Sequence, residues 1–217
     1  MNTKSHIFFD VDGTLVNTEK SLLYCIDYAA KQTGIPEIPY ETKLKFIGPP
    51  LLDSFMRYCG LDIDTARQAY QNFRKLYSTK GVHMAELYDG VADMLKSLHD
   101  NGKKLYTASS KPEKFVKIIL QEHGVADLFT DIYGASTDES RTTKVQVLQY
   151  ALEKSHINDM SDCVLVGDRC FDAEGAKQVN MDCVGALWGF GSAGELQKSG
   201  CVDICASPKD LISLFVG

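Results

Sequence analysis

The chain starts with a short apolar run, His6-Ile7-Phe8-Phe9, that stops abruptly at Asp10. Its aromatic and β-branched content predicts a buried strand. From Glu19 the apolar spacing turns helical. NTEKSLLYCIDYAAKQTG repeats apolar positions every turn and ends at Gly34, a residue suited to a helix C-cap. After the break Ile35-Pro36-Glu37-Ile38-Pro39, three further helical pieces are expected in YETKLKFIG, PLLDSFMRYCG and DTARQAYQNFRKLYSTKG. Gly48-Pro49-Pro50, Gly60 and Gly81 punctuate them, and no strand is expected among them.

Beyond Gly81 the pattern alternates. DGVADMLKSLHDNG, KPEKFVKIILQEHG and TKVQVLQYALEKSH read as helices, and KKLYTAS, DIYGAS, DCVLVGD and DCVGALW as strands. A helix from about Asp172 to Val179, a short helix, a short strand near Val202 to Cys205 and a last helix complete the chain. Such alternation predicts an α/β fold: a Rossmann-like, three-layer core with a parallel sheet covered by helices on both faces. The first strand must join that sheet to satisfy its backbone. Residues 1–16 and 82–217 are therefore expected to form the core, and residues 17–81 an inserted all-α cap.

The 217 residues carry 23 Lys plus Arg and 29 Asp plus Glu, a net charge of −6. A mildly acidic chain is a poor binder of nucleic acid or anionic membranes, which need clustered cations. No apolar run is long enough to span a bilayer, and no secretory signal is evident at the start. The seven cysteines include no CxxC pair and several lie in apolar runs, which suggests packed, reduced thiols and a cytoplasmic location.

Parallel sheets bind ligands beyond the carboxyl ends of their strands, so the polar residues found there are the candidates for chemistry. The first strand ends in Asp10-Val11-Asp12-Gly13-Thr14. Side chains two apart in extended chain share a side, so Asp10 and Asp12 are expected together; neighbouring carboxylates favour a shared proton or a bound cation. Gly13 permits a sharp turn and close approach to a ligand. A second strand ends in Ser109-Ser110-Lys111-Pro112, where a hydroxyl and free N–H groups suit an anionic oxygen or a helix cap. Lys144 opens a helix against its macrodipole, either as a surface lysine or as a cation held over phosphate. A fourth strand ends in Gly167-Asp168-Arg169-Cys170-Phe171-Asp172. Carboxylates converging on one rim make an oxygen-rich site for a hard cation such as Mg2+.

FFDVDGTL, Ser109, Lys144 and GDRCFD, in that order and separation, resemble the haloacid dehalogenase superfamily of phosphatases over nearly the whole chain. The insertion after the first motif, with IGPPLLDSF and ALWGFGSAGEL, resembles the helical-cap branch that includes phosphoglycolate and sugar-phosphate phosphatases. The resemblance implies that Asp10 is the nucleophile and a metal ligand. It makes Asp12 the general acid and base, with its backbone carbonyl on the metal. It places Ser109 (or its neighbour Ser110) on a phosphoryl oxygen, with Gly13 and Thr14 in the same phosphate-binding region. It gives Lys144 the task of neutralising charge, and makes Asp168 and Asp172 metal ligands to Mg2+. Arg169 departs from the pattern, since relatives often carry Ser there.

The function so implied is Mg2+-dependent hydrolysis of a small phosphorylated metabolite through an aspartyl phosphate. A phosphoglycolate-like compound, a nucleotide or a sugar phosphate would serve. Alternatives on related scaffolds are a sugar phosphomutase, a 2-haloacid dehalogenase and a non-catalytic phosphoryl-receiver module. By the same analogy, Lys45, Gly48 and Pro49 of the insertion face the substrate. The five histidines form no constellation.

Overall fold

The structure is a computed structural model and describes residues 1–138 and 140–217. In chain order the elements are β1 (His6–Phe9), β2 (Val16–Asn17), α1 (Glu19–Thr33), α2 (Tyr40–Leu44), α3 (Leu51–Cys59) and α4 (Ile63–Tyr77). They continue through β3 (Glu86–Leu87), α5 (Val91–Asp100), β4 (Lys104–Pro112), α6 (Glu113–Glu122), β5 (Asp131–Ala135) and α7 (Lys144–Lys154). The last are β6 (Cys163–Gly167), α8 (Cys170–Gln178), β7 (Asp182–Ala186), α9 (Ala193–Ser199), β8 (Asp203–Cys205) and α10 (Pro208–Val216). They fall into two compact units, residues 1–17 with 87–217, and residues 18–86.

The first unit holds a six-stranded sheet in the order β5-β4-β1-β6-β7-β8, parallel throughout. Ile7, Phe8 and Phe9 are completely buried because β1 is central and covered on both faces. Side chains alternate across the sheet. One face sends Phe8, Tyr106, Leu165 and Cys183 into a core with Val147, Leu148 and Ala151 of α7 and Ala173 and Ala176 of α8. On the helices α5, α6 and α10, Leu95, Val116 and Phe215 are buried.

The register places the site. Phe9 lies beside Thr107 of β4 and Val166 of β6, so β1 and β6 end nearly level while β4 runs on to Pro112. The Asp10 N–H extends the ladder by donating to the Val166 carbonyl at 2.9 Å. The chain builds outward from β1 to β4 and β5, then returns to add β6 on the opposite side, so the reversal of strand order lies beside Asp10.

The second unit is built on α1, α3 and α4, with α1 closed by Gly34 in the left-handed conformation (φ 75°). Its apolar interior includes Ile26, Ala29, Ala66, Ala69 and Phe73, whose small residues let α1 and α4 pack closely. Phe46 meets Phe55 edge to face at 5.1 Å. Helix α2 stops at Leu44, before the Phe46-Ile47-Gly48 stretch that the sequence pattern includes in a helix. The two-residue strands β2 and β3 pair in a small sheet of their own, too short to leave a periodic signal.

Candidate active site

Four chain segments meet at the carboxyl ends of β1, β4 and β6. Asp10 follows β1 and is 9% exposed. Lys144 is the first residue of α7, whose N-terminus is fixed by a capping box between Thr143 and Gln146. Its ammonium is buried and donates to Asp10 Oδ1 and to the Ala108 carbonyl, both at 2.7 Å. It also lies 2.8 Å from Asp172 Oδ1. Burial alone would lower the lysine's hold on its proton, but Asp10 and Asp172 outweigh it and raise the ammonium above its ordinary range.

Asp168 follows β6 and Asp172 lies in the first turn of α8; both are buried. Asp172 Oδ2 accepts the Arg169 N–H at 3.0 Å, so this carboxylate caps its own helix. Asp168 Oδ2 accepts the Phe190 N–H at 2.8 Å. Burial raises the Asp168 carboxyl well above the usual range, and Asp172 and Asp10 add to it. Asp172 is raised by burial too, with Lys144 opposing and Asp10 reinforcing the shift.

Asp10, Asp168 and Asp172 each offer a carboxylate oxygen, and these atoms lie within 4.8 Å of one another. The donor set is all oxygen, as a hard divalent cation requires. Asp172 Oδ1 is buried with no donor in hydrogen-bonding geometry, its 2.8 Å approach to Lys144 being an ion pair only. Three carboxylates (Asp10, Asp168, Asp172) face one ammonium (Lys144), so 1 − 3 leaves −2. A divalent cation matches that deficit, and these residues fit one.

The other expected site residues are distributed as follows. Gly13 has φ 88°, and a Cβ there would overlap the Asp168 carboxylate; glycine is required on both counts. Thr14 is fully buried, and its hydroxyl donates to Asp168 Oδ1 at 3.4 Å. Ser109 is buried and accepts the Lys111 N–H at 3.2 Å, whereas Ser110 is exposed. The Asp12 carboxylate does not belong to the three-acid cluster; both its oxygens meet Lys111. Lys45, Gly48 and Pro49 belong to the helical unit, where Lys45 Nζ lies 6.0 Å from the Tyr58 ring centre.

Several residues at the site escaped the sequence reading. Lys111 stands in the Ser109–Pro112 segment, but its pairing with Asp12 does so because β4 runs on to Pro112, beyond KKLYTAS. Trp188 Nε1 donates to the Thr14 carbonyl at 2.9 Å, and with Phe190 it wraps the loop after β7 around Asp168. Glu195 accepts Arg169 Nε at 2.9 Å and the Cys170 N–H at 3.0 Å, which turns the Arg169 cation toward α9. The segment ALWGFGSAGEL contains all three, but its spacing alone assigns them no partners.

The haloacid dehalogenase-like hydrolase family pattern matches residues 7–186. A 5'-nucleotidase of Pseudomonas aeruginosa is 32% identical over 93% of this chain and 90% of its own. The tyrosine-protein kinase PtkA of Mycobacterium tuberculosis is 34% identical over 89% of this chain, which spans 65% of that protein. A phosphoglycolate phosphatase of Vibrio vulnificus is 30% identical over 85% of this chain and 84% of its own. Among solved structures, a predicted phosphatase from Clostridium acetobutylicum superposes with a TM-score of 0.92 at 35% identity, covering 97% of both chains.

Proposed function

Because the chain belongs to the haloacid dehalogenase-like hydrolase family, we propose that it is a Mg2+-dependent phosphoric monoester hydrolase acting on a small phosphorylated metabolite. The observation that carries the reading is the Asp10 carboxylate held by Lys144 beside Asp168 and Asp172. A carboxylate is a poor nucleophile toward a phosphate dianion unless charge is cancelled around it.

Asp10 attacks phosphorus, an Asp10–phosphorus bond forms and the ester P–O bond breaks. Asp12 gives its proton to the departing alkoxide. Asp12 then takes a proton from water, which attacks the same phosphorus, frees Asp10 and releases inorganic phosphate. Lys144 neutralises charge on Asp10 and the phosphoryl oxygens throughout, and Ser109 donates its hydroxyl to one of them. Asp10, Asp168 and Asp172, with the Asp12 carbonyl, would hold Mg2+, which supplies positive charge to the transferring phosphoryl group.

The names of the relatives support two substrate classes, a nucleoside 5'-monophosphate and phosphoglycolate. Sugar phosphates belong to the same chemistry. We assign Lys45, Gly48 and Pro49 to substrate selection and the helical unit to a cap, as in the resemblance. A panel of these esters, assayed with Mg2+ for free phosphate and for isomerised product, tests the reading. Free phosphate from at least one ester is expected. Isomerised sugar phosphate without phosphate release would make the protein a mutase, halide release without metal a dehalogenase, and a stable phosphoprotein without turnover a receiver.

A further inference from the structure

We infer that Lys111 is a positioning residue for Asp12, fixing the carboxyl that serves the leaving alcohol. The inference rests on the assignment of Asp12 as proton donor. Lys111 Nζ lies 2.7 Å from Asp12 Oδ1 and 2.8 Å from Oδ2, so one ammonium grips both oxygens. Its side chain is 4% exposed against 20% for Asp12, so the cation is the anchored member of the pair.

The local backbone is built for this placement. Strand β4 continues beyond Ser109, and its register against β5 shifts between Ser109 and Pro112. Lys111 is two residues from Ser109, and its N–H donates to the Ser109 hydroxyl at 3.2 Å. The displaced strand is accommodated by Gly134 of β5, where a Cβ would stand 2.6 Å from the Lys111 carbonyl oxygen. Asp12 follows the central strand by three residues, in a loop turned by Gly13. Its side chain has two free torsions, and a two-oxygen grip removes that freedom.

The consequence depends on the leaving group. An alkoxide must receive a proton as it departs, whereas p-nitrophenolate leaves without one. In the step that transfers phosphorus to Asp10, a residue that positions the proton donor therefore matters for alkyl esters and little for p-nitrophenyl phosphate. A lysine that binds the phosphoryl group, or merely supports the fold, matters equally for both.

The test compares kcat/KM, which reports transfer to Asp10 and not the later hydrolysis in which Asp12 serves both esters alike, for an alkyl phosphate and for p-nitrophenyl phosphate in the Mg2+-loaded enzyme and its Lys111→Met, Lys111→Arg and Asp12→Asn variants. Lys111→Met is expected to lose about 100-fold on the alkyl ester, within the range of general-acid contributions, and less than about 5-fold on the aryl ester. Asp12→Asn is expected to show the same split, larger. Lys111→Arg, which can still span two oxygens, is expected to regain at least about 10-fold on the alkyl ester. If Lys111→Met does not fold, Lys111→Gln replaces it, with the same split expected. Equal losses on the two esters in the Lys111 variant overturn the inference while leaving Asp12 as the acid. Equal losses in Asp12→Asn remove the assignment of Asp12, and the role of Lys111 falls with it.

Discussion

Lys144 and Asp10 are 134 residues apart in the chain and 2.7 Å apart in the fold. The pair exists because α7 starts beside the end of β1 and Ala108 of β4, which places a lysine in the first helical turn, against the helix dipole. Such a placement costs stability unless anionic groups surround the ammonium, and Asp10 and Asp172 do so.

Lys144→Met strands two buried carboxylates. Breaking a buried ion pair from one side costs about 3–5 kcal/mol, so denaturant unfolding of the metal-free variant should show a loss of that order. Saturating Mg2+ should recover part of that stability, since the cation faces the same acids. Turnover should stay at least about 100-fold below the parent with Mg2+ present, because the charge over phosphate and nucleophile is gone.

The pH dependence of stability follows from Asp168 and Asp172, whose carboxyls are raised in the fold, chiefly by burial. A raised carboxyl binds its proton more tightly folded than unfolded. The metal-free protein should therefore lose stability as pH rises above the ordinary carboxylate value of 3.8 toward the folded values. Thermal unfolding in a chelator, followed from pH 4 upward, should show this decline. Asp168→Asn should flatten it, and Mg2+ should raise Tm more at neutral pH than at the acid end.

Glu195 ties the loop between Asp168 and Asp172 to α9 by accepting from Arg169 Nε and the Cys170 N–H. Groups that orient metal ligands commonly control about 10–100-fold in affinity. Glu195→Ala should weaken Mg2+ binding, measured by calorimetry, by about tenfold or more, with far-ultraviolet circular dichroism unchanged.

Gly13→Ala combines an unfavourable backbone angle with an overlap at Asp168. The conformational part alone costs roughly 1–2 kcal/mol. Displacement of Asp168 should add a loss of Mg2+ affinity, so the variant should be both less stable and weaker in binding Mg2+ by calorimetry.

Much of this site is legible in the sequence because apolar strands end on it. Ile7-Phe8-Phe9 running into Asp10, and Val164-Leu165-Val166 into Gly167-Asp168, mark the strand ends without ambiguity. The sheet order is not written in those runs, since any of several parallel arrangements buries them equally well. The pairing of Lys111 with Asp12 was hidden by a shift of strand register that only β5 reveals. Trp188, Phe190 and Glu195 act on their neighbours through main-chain groups as well as side chains, and such contacts leave no pattern of residue types. Arg169 reads as an extra cation near the acids until its partner on α9 is seen.

The central claim is a covalent bond between Asp10 and phosphorus. The measurement that meets it most directly is acid quenching during turnover of a phosphate ester with Mg2+, followed by peptide mass spectrometry. The account predicts a phosphoryl group on Asp10 that appears and decays no more slowly than turnover, and none in an Asp10→Asn variant that has lost turnover. Undiminished phosphate release by Asp10→Asn would contradict it.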